Sequence, residues 1–357
     1  MSRVLAYVAL LLCLSPAWAA EPAPAPHQAA KPATAVVEST LATGNNQIRQ
    51  FAFDGDPNTY FASEKNAATT DHFTLTFDAP APVKAVRVLT GRPKGGDELN
   101  AGVLEVSADG KKFEELAKFA DGSAKGTPTG KVKAIRVRPT EDLKHPLVIR
   151  EITVDDAPAG AVFRYPIEFV VNVADAPEMK EWAENAARVC ERQYPMICEE
   201  LMSDGFVPLT VIRMTMKGDY NGVAEAGGGR ITGSVKYFKA HPNDVGAMVH
   251  ETTHCVQLYR GRGNPGWLVE GVADYVRFFK YEATKPRPLA PEQAKYNGSY
   301  RTSAAFLAFV TDKYDAQIVR KLNATMRAGK YKEDVWKELT GKSVEELGRE
   351  WQKSLAK

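Results

Sequence analysis

Two imidazoles four residues apart, with a carboxylate beside the first, make His250-Glu251-Thr252-Thr253-His254 the part of this chain best equipped for chemistry. Residues i and i+4 share a helical face, so His250 and His254 converge on one point while Glu251 is turned by about 100°. One metal ion fits between the rings, and Glu251 is then placed as general base toward a water on that ion. A helix with two hydrogen-bonded histidines would read the same in these five letters. A catalytic zinc keeps three protein donors and one open position, so a third ligand is required.

The positioning elements come next. The helix that carries the pair is expected to start with Asn243 or Asp244 as N-cap, after Pro242, and to end in the glycine-rich stretch 261–266. A second helix is expected from about Trp267, with Glu270 and Asp274 on one face. This run resembles the gluzincin arrangement, in which H-E-x-x-H is followed by E-x-x-x-D. Trp267-Leu268-Val269-Glu270-Gly271 also resembles the W-L-x-E-G segment of zinc aminopeptidases, with a few residues fewer between the two motifs. The resemblance implies Glu270 as third zinc ligand and Asp274 as the carboxylate that orients an imidazole, that of His250 first.

A closer resemblance is to the basic secretory protein family, peptidases of plants and bacteria. It is carried in order by His250 to Gln257, by Gly263-Asn264-Pro265-Gly266 with Trp267 to Arg277, and by Ser299-Tyr300-Arg301-Thr302-Ser303-Ala304-Ala305-Phe306-Leu307. It spans roughly residues 160–357 and implies an α+β, zincin-like metallopeptidase domain. Glu251 would serve as general base, and Tyr300 is the first candidate donor to an oxyanion, ahead of Tyr296 and His241. Strands are expected near 163–172, 208–216 and 230–238. Asp175 with Pro177 should open a helix, two further helices should cover 302–313 and 315–328, and Ser343 with Glu346 should cap another. Ile231 to Val235 could be an edge strand for an extended peptide. Val223 to Arg230 is glycine-rich but lacks the Lys-Ser/Thr of a phosphate loop, which excludes nucleotide binding.

Residues 38–157 read differently, as strands at 73–77, 83–89, 102–107, 132–138 and 149–154 that alternate apolar with polar between Gly, Pro and Asp turns. That is the pattern of an all-β sandwich. Phe51 to Ser63 and Val106 to Phe113 resemble discoidin or coagulation-factor C-type domains, a galactose-binding-like jelly roll. In that resemblance the Asp54-Gly55-Asp56 loop is a candidate calcium site, with Asp54, Asp56, Thr59 and Glu151 as ligands. It also implies carbohydrate binding, for which Phe61, His72 and Arg92 are the nearest residues, Phe61 reading rather as core.

Composition bounds the rest. With 46 Lys and Arg against 44 Asp and Glu over 357 residues, nothing points to nucleic acid or an anionic membrane as partner. Arg3, an apolar run from Val4 to Leu14 and the small residues Ala17 and Ala19 read as a signal peptide, residues 1–19, followed by an Ala/Pro-rich tether over 20–37. The expectation is a secreted or periplasmic protein with no transmembrane segment. Residues 157–161 read as an interdomain linker, and the part from about 160 onward is expected to fold alone. Cys190 and Cys198 would stand about 12 Å apart on one unbroken helix, so only a break at Pro195 would let them pair. Cys255 reads as a packed, free thiol.

Overall fold

The computed structural model describes residues 32–259, 263–283, 289–298 and 300–356. The expected signal peptide, most of the tether and Ser299 lie outside the described residues.

The N-terminal sandwich stacks two antiparallel sheets. β1 (Ala35–Ser39), β3 (Phe73–Pro82), β8 (Lys131–Pro139), β5 (Gly102–Ser107) and β6 (Glu114–Lys118) form one, in that order. β2 (Phe61–Asn66), β9 (Pro146–Asp155), β4 (Ala85–Thr90) and β7 (Ser123–Gly126) form the other. The period-2 alternation sends Phe73, Leu75 and Phe77 of β3 and Ile135 and Val137 of β8 inward together, since Phe73 pairs with Val137 and Leu75 with Ile135. Phe61 is fully buried and lies 4.9 Å from the Phe73 ring, so it is core and not a sugar platform. The sandwich begins three residues before the expected boundary at 38. Ala35 and Val37 alternate inward and pair with Phe77 and Leu75, a pattern hidden by the Ala/Pro-rich text before it.

The C-terminal part is α+β. Its sheet runs β10 (Glu168–Asn172), β11 (Val211–Lys217), β13 (Arg230–Ser234), β12 (Ala224–Gly227), parallel except for the last pair. The helices are α1 (Lys180–Glu200), α2 (Val235–Ala240), α3 (Gly246–Gln257), α4 (Gly266–Tyr275), α5 (Tyr300–Lys313), α6 (Ile318–Arg327), α7 (Asp334–Thr340) and α8 (Val344–Leu355). A π-helical turn, Val276–Tyr281, continues α4. Among the described residues no helix is long and apolar enough to cross a membrane.

Several local expectations are corrected. The edge strand is β12, not the stretch from Ile231, because Gly228 and Gly229, both at positive φ, turn β12 back onto β13 and leave β13 internal. Asp175 does not cap a helix: a 3₁₀ turn at Pro177–Met179 precedes α1, and its N-cap is Ala176. Asp244 does not cap α3 either, being drawn away to Arg277 and to the Tyr237 hydroxyl at 2.7 Å. The Ser343 and Glu346 capping box is formed.

α1 runs through Pro195 unbroken, and Cys190, Cys198 and Cys255 are free and buried. An interior proline costs about 3 kcal/mol. Tyr194, Met196 and Ile197 are buried beside it, and at roughly 1.5–3 kcal/mol for each buried large apolar side chain they outweigh that cost.

The segment at 157–161 is not an open linker. Ala161 and Phe163 are buried in the sandwich core, and Thr34 donates to the carbonyls of Gly160 and Ala159. Beside it the two halves interlock through Arg49, 14% exposed, whose Nε lies 3.3 Å from Glu168 at the start of β10 and whose Nη2 lies 3.4 Å from Glu191 of α1. The Thr43 hydroxyl donates to Glu168 at 2.7 Å, the Gln50 side-chain Oε1 accepts from Ile167 N at 3.0 Å, and Arg192 pairs with Asp78.

Candidate metal centre

α3 and α4 bring His250, His254 and Glu270 to one point, with their donor atoms all within 4.8 Å of one another. The Nε2 atoms of the two histidines lie 3.0 Å apart, and each is 3.2 Å from Glu270 Oε2. What surrounds the rings fixes which nitrogen carries hydrogen. His250 Nδ1 lies 2.7 Å from Asp274 Oδ1, so it donates to that carboxylate. His254 Nδ1 lies 2.7 Å from Gln257 Oε1, and the Gln257 amide is oriented because its nitrogen donates to Val269 O at 2.9 Å. In the neutral form each ring therefore aims a lone pair inward, toward the other ring and toward a carboxylate oxygen. Three acceptors facing one another repel unless positive charge sits among them, and two imidazoles with one carboxylate are the donor set of a catalytic zinc site.

The electrostatics carry the same demand for positive charge. Burial opposes charge on His250, but hydrogen bonds to Asp274 and Glu270 outweigh it and raise the imidazole to about 9. Burial also pushes Glu270 up, and the two imidazoles overcome that and bring it down to about 2. Glu251, 8% exposed, is raised first by burial, against the pull of His250 and His254, and then by the charges of Glu270 and Glu225. A carboxylate held in this way is a better base than one in water.

Helix packing sets the reach of Glu270. Its neighbour Gly271 faces α5, where a Cβ would stand 2.9 Å from Ser303 Cβ, so only glycine lets the two helices close. The buried hydroxyls of Thr252 and Thr253 donate back to the carbonyls of Met248 and Val249 within α3.

The centre opens into a cleft of about 1210 Å³, walled by β12 on one side and by α4, the π-helical turn and the start of α5 on the other. Tyr300 is 55% exposed there, its ring 6.1 Å from that of His250, and the negative charge of Glu270, then burial, raises its phenol, which keeps its proton for donation. Tyr296 and His241 are not part of this wall: Tyr296 packs on Trp267 and Phe306, and His241 stacks on Tyr237 at 4.4 Å. Two contributors were missed in the sequence. Gln257 follows His254 by three residues, the spacing of helical neighbours, and Glu225 faces the cleft from β12. A Gly-Gly pair between two short alternating runs is a hairpin signal and could have revealed that strand.

The family model for the peptidase of plants and bacteria matches residues 168–351, just over half of the 357 residues. The chain belongs to this peptidase family. That match begins at β10 and ends within α8. The model of the F5/8 type C domain matches residues 33–153, the sandwich. Among solved structures the sandwich is similar to the CBM32-1 domain of a family 31 glycoside hydrolase from Clostridium perfringens, with 17% identity, a TM-score of 0.30, and coverage of 35% of this chain and 96% of that chain. It is also similar to the family 32 CBM of Clostridium perfringens NanJ in complex with galactose, with 12% identity, a TM-score of 0.29, and coverage of 34% and 93%. No curated protein matches the chain.

In the sandwich of this peptidase, the Asp54 loop and β9 meet. Asp54 accepts from Asp56 N at 2.9 Å and from the Thr59 hydroxyl, while Asp56 Oδ1 accepts from Asn58 N at 2.9 Å. Glu151 is 7% exposed, and its Oε2 has no hydrogen-bond partner among the described residues. Burial first, then the charge of Asp54, raises it to about 8. A buried, half-satisfied carboxyl that feels the charge of other acids suits a hard cation such as calcium, but among the described residues Asp54, Asp56 and Glu151 do not bring their donor atoms within 4.8 Å of one another as His250, His254 and Glu270 do. His72 instead meets the Thr74 hydroxyl at 3.1 Å, and Arg92 pairs with Asp97 and reaches the Tyr60 hydroxyl.

Proposed function

We propose that this chain is an exported zinc-dependent peptidase, with endopeptidase action, whose F5/8 type C domain holds it to a carbohydrate, a cell-envelope component or a glycoprotein substrate. The observation that carries the reading is the meeting of the His250, His254 and Glu270 acceptors, each imidazole committed by its other nitrogen to a fixed hydrogen bond, at the floor of an open cleft in a peptidase-family domain. A zinc ion held by these three residues supplies a water of lowered pKa and a Lewis acid for the peptide carbonyl.

The chain's own groups do the rest. Asp274 and Gln257 keep the two rings in the ligating tautomer. Glu251 takes the proton of the attacking water and passes it to the leaving amine. The Tyr300 hydroxyl donates to the oxygen on which charge develops. β12 offers its unpaired backbone edge to an extended substrate, which suits attack within a chain and uses no particular side chain. In the sandwich, Asp54, Asp56, Thr59 and Glu151 would hold a structural calcium ion. The apolar N-terminal run, as an export signal, would deliver the chain to the periplasm or the outside of the cell.

The test is metal analysis of the purified mature protein together with digestion of a peptide library. The expected result is one zinc per chain and cleavage that a chelator stops and added zinc restores. Tight glycan binding with no chelator-sensitive cleavage of any peptide or glycoprotein would replace this reading with that of a secreted adhesin on an inactive peptidase fold.

A further inference from the structure

One ring in the cleft carries two guanidinium groups, and only one of them is neutralised. Arg277 lies 4.5 Å from the centroid of Phe278, and Arg301 lies 3.8 Å from the same centroid. Arg277 is balanced twice over, by Asp244 and by Glu282 at 2.9 Å. Arg301 forms no ion pair with any described residue, and it is exposed. Its guanidinium and Phe278 line the same cleft as His250 and Glu270, and its chain neighbour Tyr300 has its ring 6.1 Å from that of His250.

A guanidinium stacked on an aromatic ring spends its face and leaves its edge free. The N–H donors around that edge form a planar fork that matches a carboxylate with two parallel bonds. The stacking also removes much of the side-chain freedom that an exposed arginine would otherwise lose on binding.

We infer that Arg301 is a carboxylate-binding site of the cleft, one that receives either an acidic side chain or the C-terminal carboxylate of a bound peptide. The inference rests on the peptidase reading only for its natural ligand. The geometry calls for a carboxylate in any case.

N-acetylated, fluorescently labelled hexa-alanine peptides provide the probe. One series walks a single Glu, or its neutral isostere Gln, through the six positions with the C-terminus amidated; one further pair is free of both, with the C-terminus free or amidated. With the full-length, zinc-loaded protein at low salt, kcat/KM for one acidic member should exceed that for its neutral partner by about tenfold or more, the scale of a charge-assisted bidentate bond. A Glu position marks a side-chain subsite, and the free C-terminus marks a chain-end subsite. Arg301→Gln should collapse that ratio toward one, and Arg301→Lys should retain part of it. The same peptides are titrated by anisotropy against the Glu251→Gln protein, which needs no turnover. Carboxylate-dependent binding in that titration with no hydrolysis by the wild type sinks the peptidase reading and leaves the site standing. Equal values for every acidic and neutral pair, or a ratio that survives Arg301→Gln, overturns the site.

Discussion

Gln257 holds His254 by its Nδ1 at 2.7 Å, and is itself held by the Val269 carbonyl one residue before Glu270. One amide thus ties His254 on α3 to the approach of Glu270 on α4. Gln257→Leu removes the acceptor that fixes the tautomer while it keeps much of the side-chain volume. Metal affinity, read by competition with a chromophoric chelator, should fall by about 10–100-fold, with an unchanged far-UV spectrum. Unaltered affinity would mean that the helix alone orients the ring.

Glu251→Gln separates holding the metal from using it. The substitution preserves shape and removes a carboxylate that burial keeps basic. Zinc content should stay at the wild-type value and kcat should drop by about two orders of magnitude or more, as for loss of a general base. Full hydrolysis of a verified substrate by this variant would remove Glu251 from the chemistry.

The sandwich gives a pH-dependent prediction through Glu151. Its folded-state value of about 8 lies above the ordinary carboxyl value, so between those limits the folded form binds the proton that the unfolded form has released. The contribution of Glu151 to stability without calcium should therefore be fully present below about pH 4.5 and be lost as pH rises toward 8. Calcium replaces the proton, so its addition should raise Tm more at pH 8 than at pH 5. Thermal scans at both pH values check this, and Glu151→Gln should remove the difference.

Arg49 is the fourth lever. Truncation to alanine leaves Glu168 and Glu191, both under 10% exposed, without that cation, although Arg188 still reaches Glu191 at 2.8 Å. Breaking a buried pair on one side costs about 3–5 kcal/mol. Denaturant unfolding of Arg49→Ala should show a loss on that scale, and the fragment 160–357, which lacks Arg49 altogether, should be less stable than the same domain in the whole chain.

The start of α4, the strands with clean alternation and the capping box at Ser343 were readable because each rests on local spacing, whereas α3 starts at Gly246 and stops at Gln257, inside both of its expected ends. The convergence of His250, His254 and Glu270 was readable for the same reason: i, i+4 on one helix, and Glu270 early on the next. What escaped depends on partners distant in sequence. β1 was masked by its Ala/Pro-rich approach, and β12 by glycines whose role is to turn a hairpin. Asp244 looks like a cap until Arg277, thirty-three residues on, is seen to claim it. The closed joint at 157–161 follows from the bonds of Thr34 to Ala159 and Gly160 and the burial of Ala161, which no linker composition announces.

That joint bears on how such a peptidase could change its target over time. Glu168 opens the first strand of the sheet whose far edge walls the cleft, and Glu191 sits on the helix packed against α3, so the guanidinium from the sandwich completes the interior of its neighbour. A replacement sandwich would have to arrive with a cation at the place of Arg49 and an anion at that of Asp78. Exchange of whole domains is therefore a poor route to new specificity for this protein. The open route is variation in the loops of the sandwich that lie away from the shared face, which leaves the ion pairs and the helices α3 and α4 as they are.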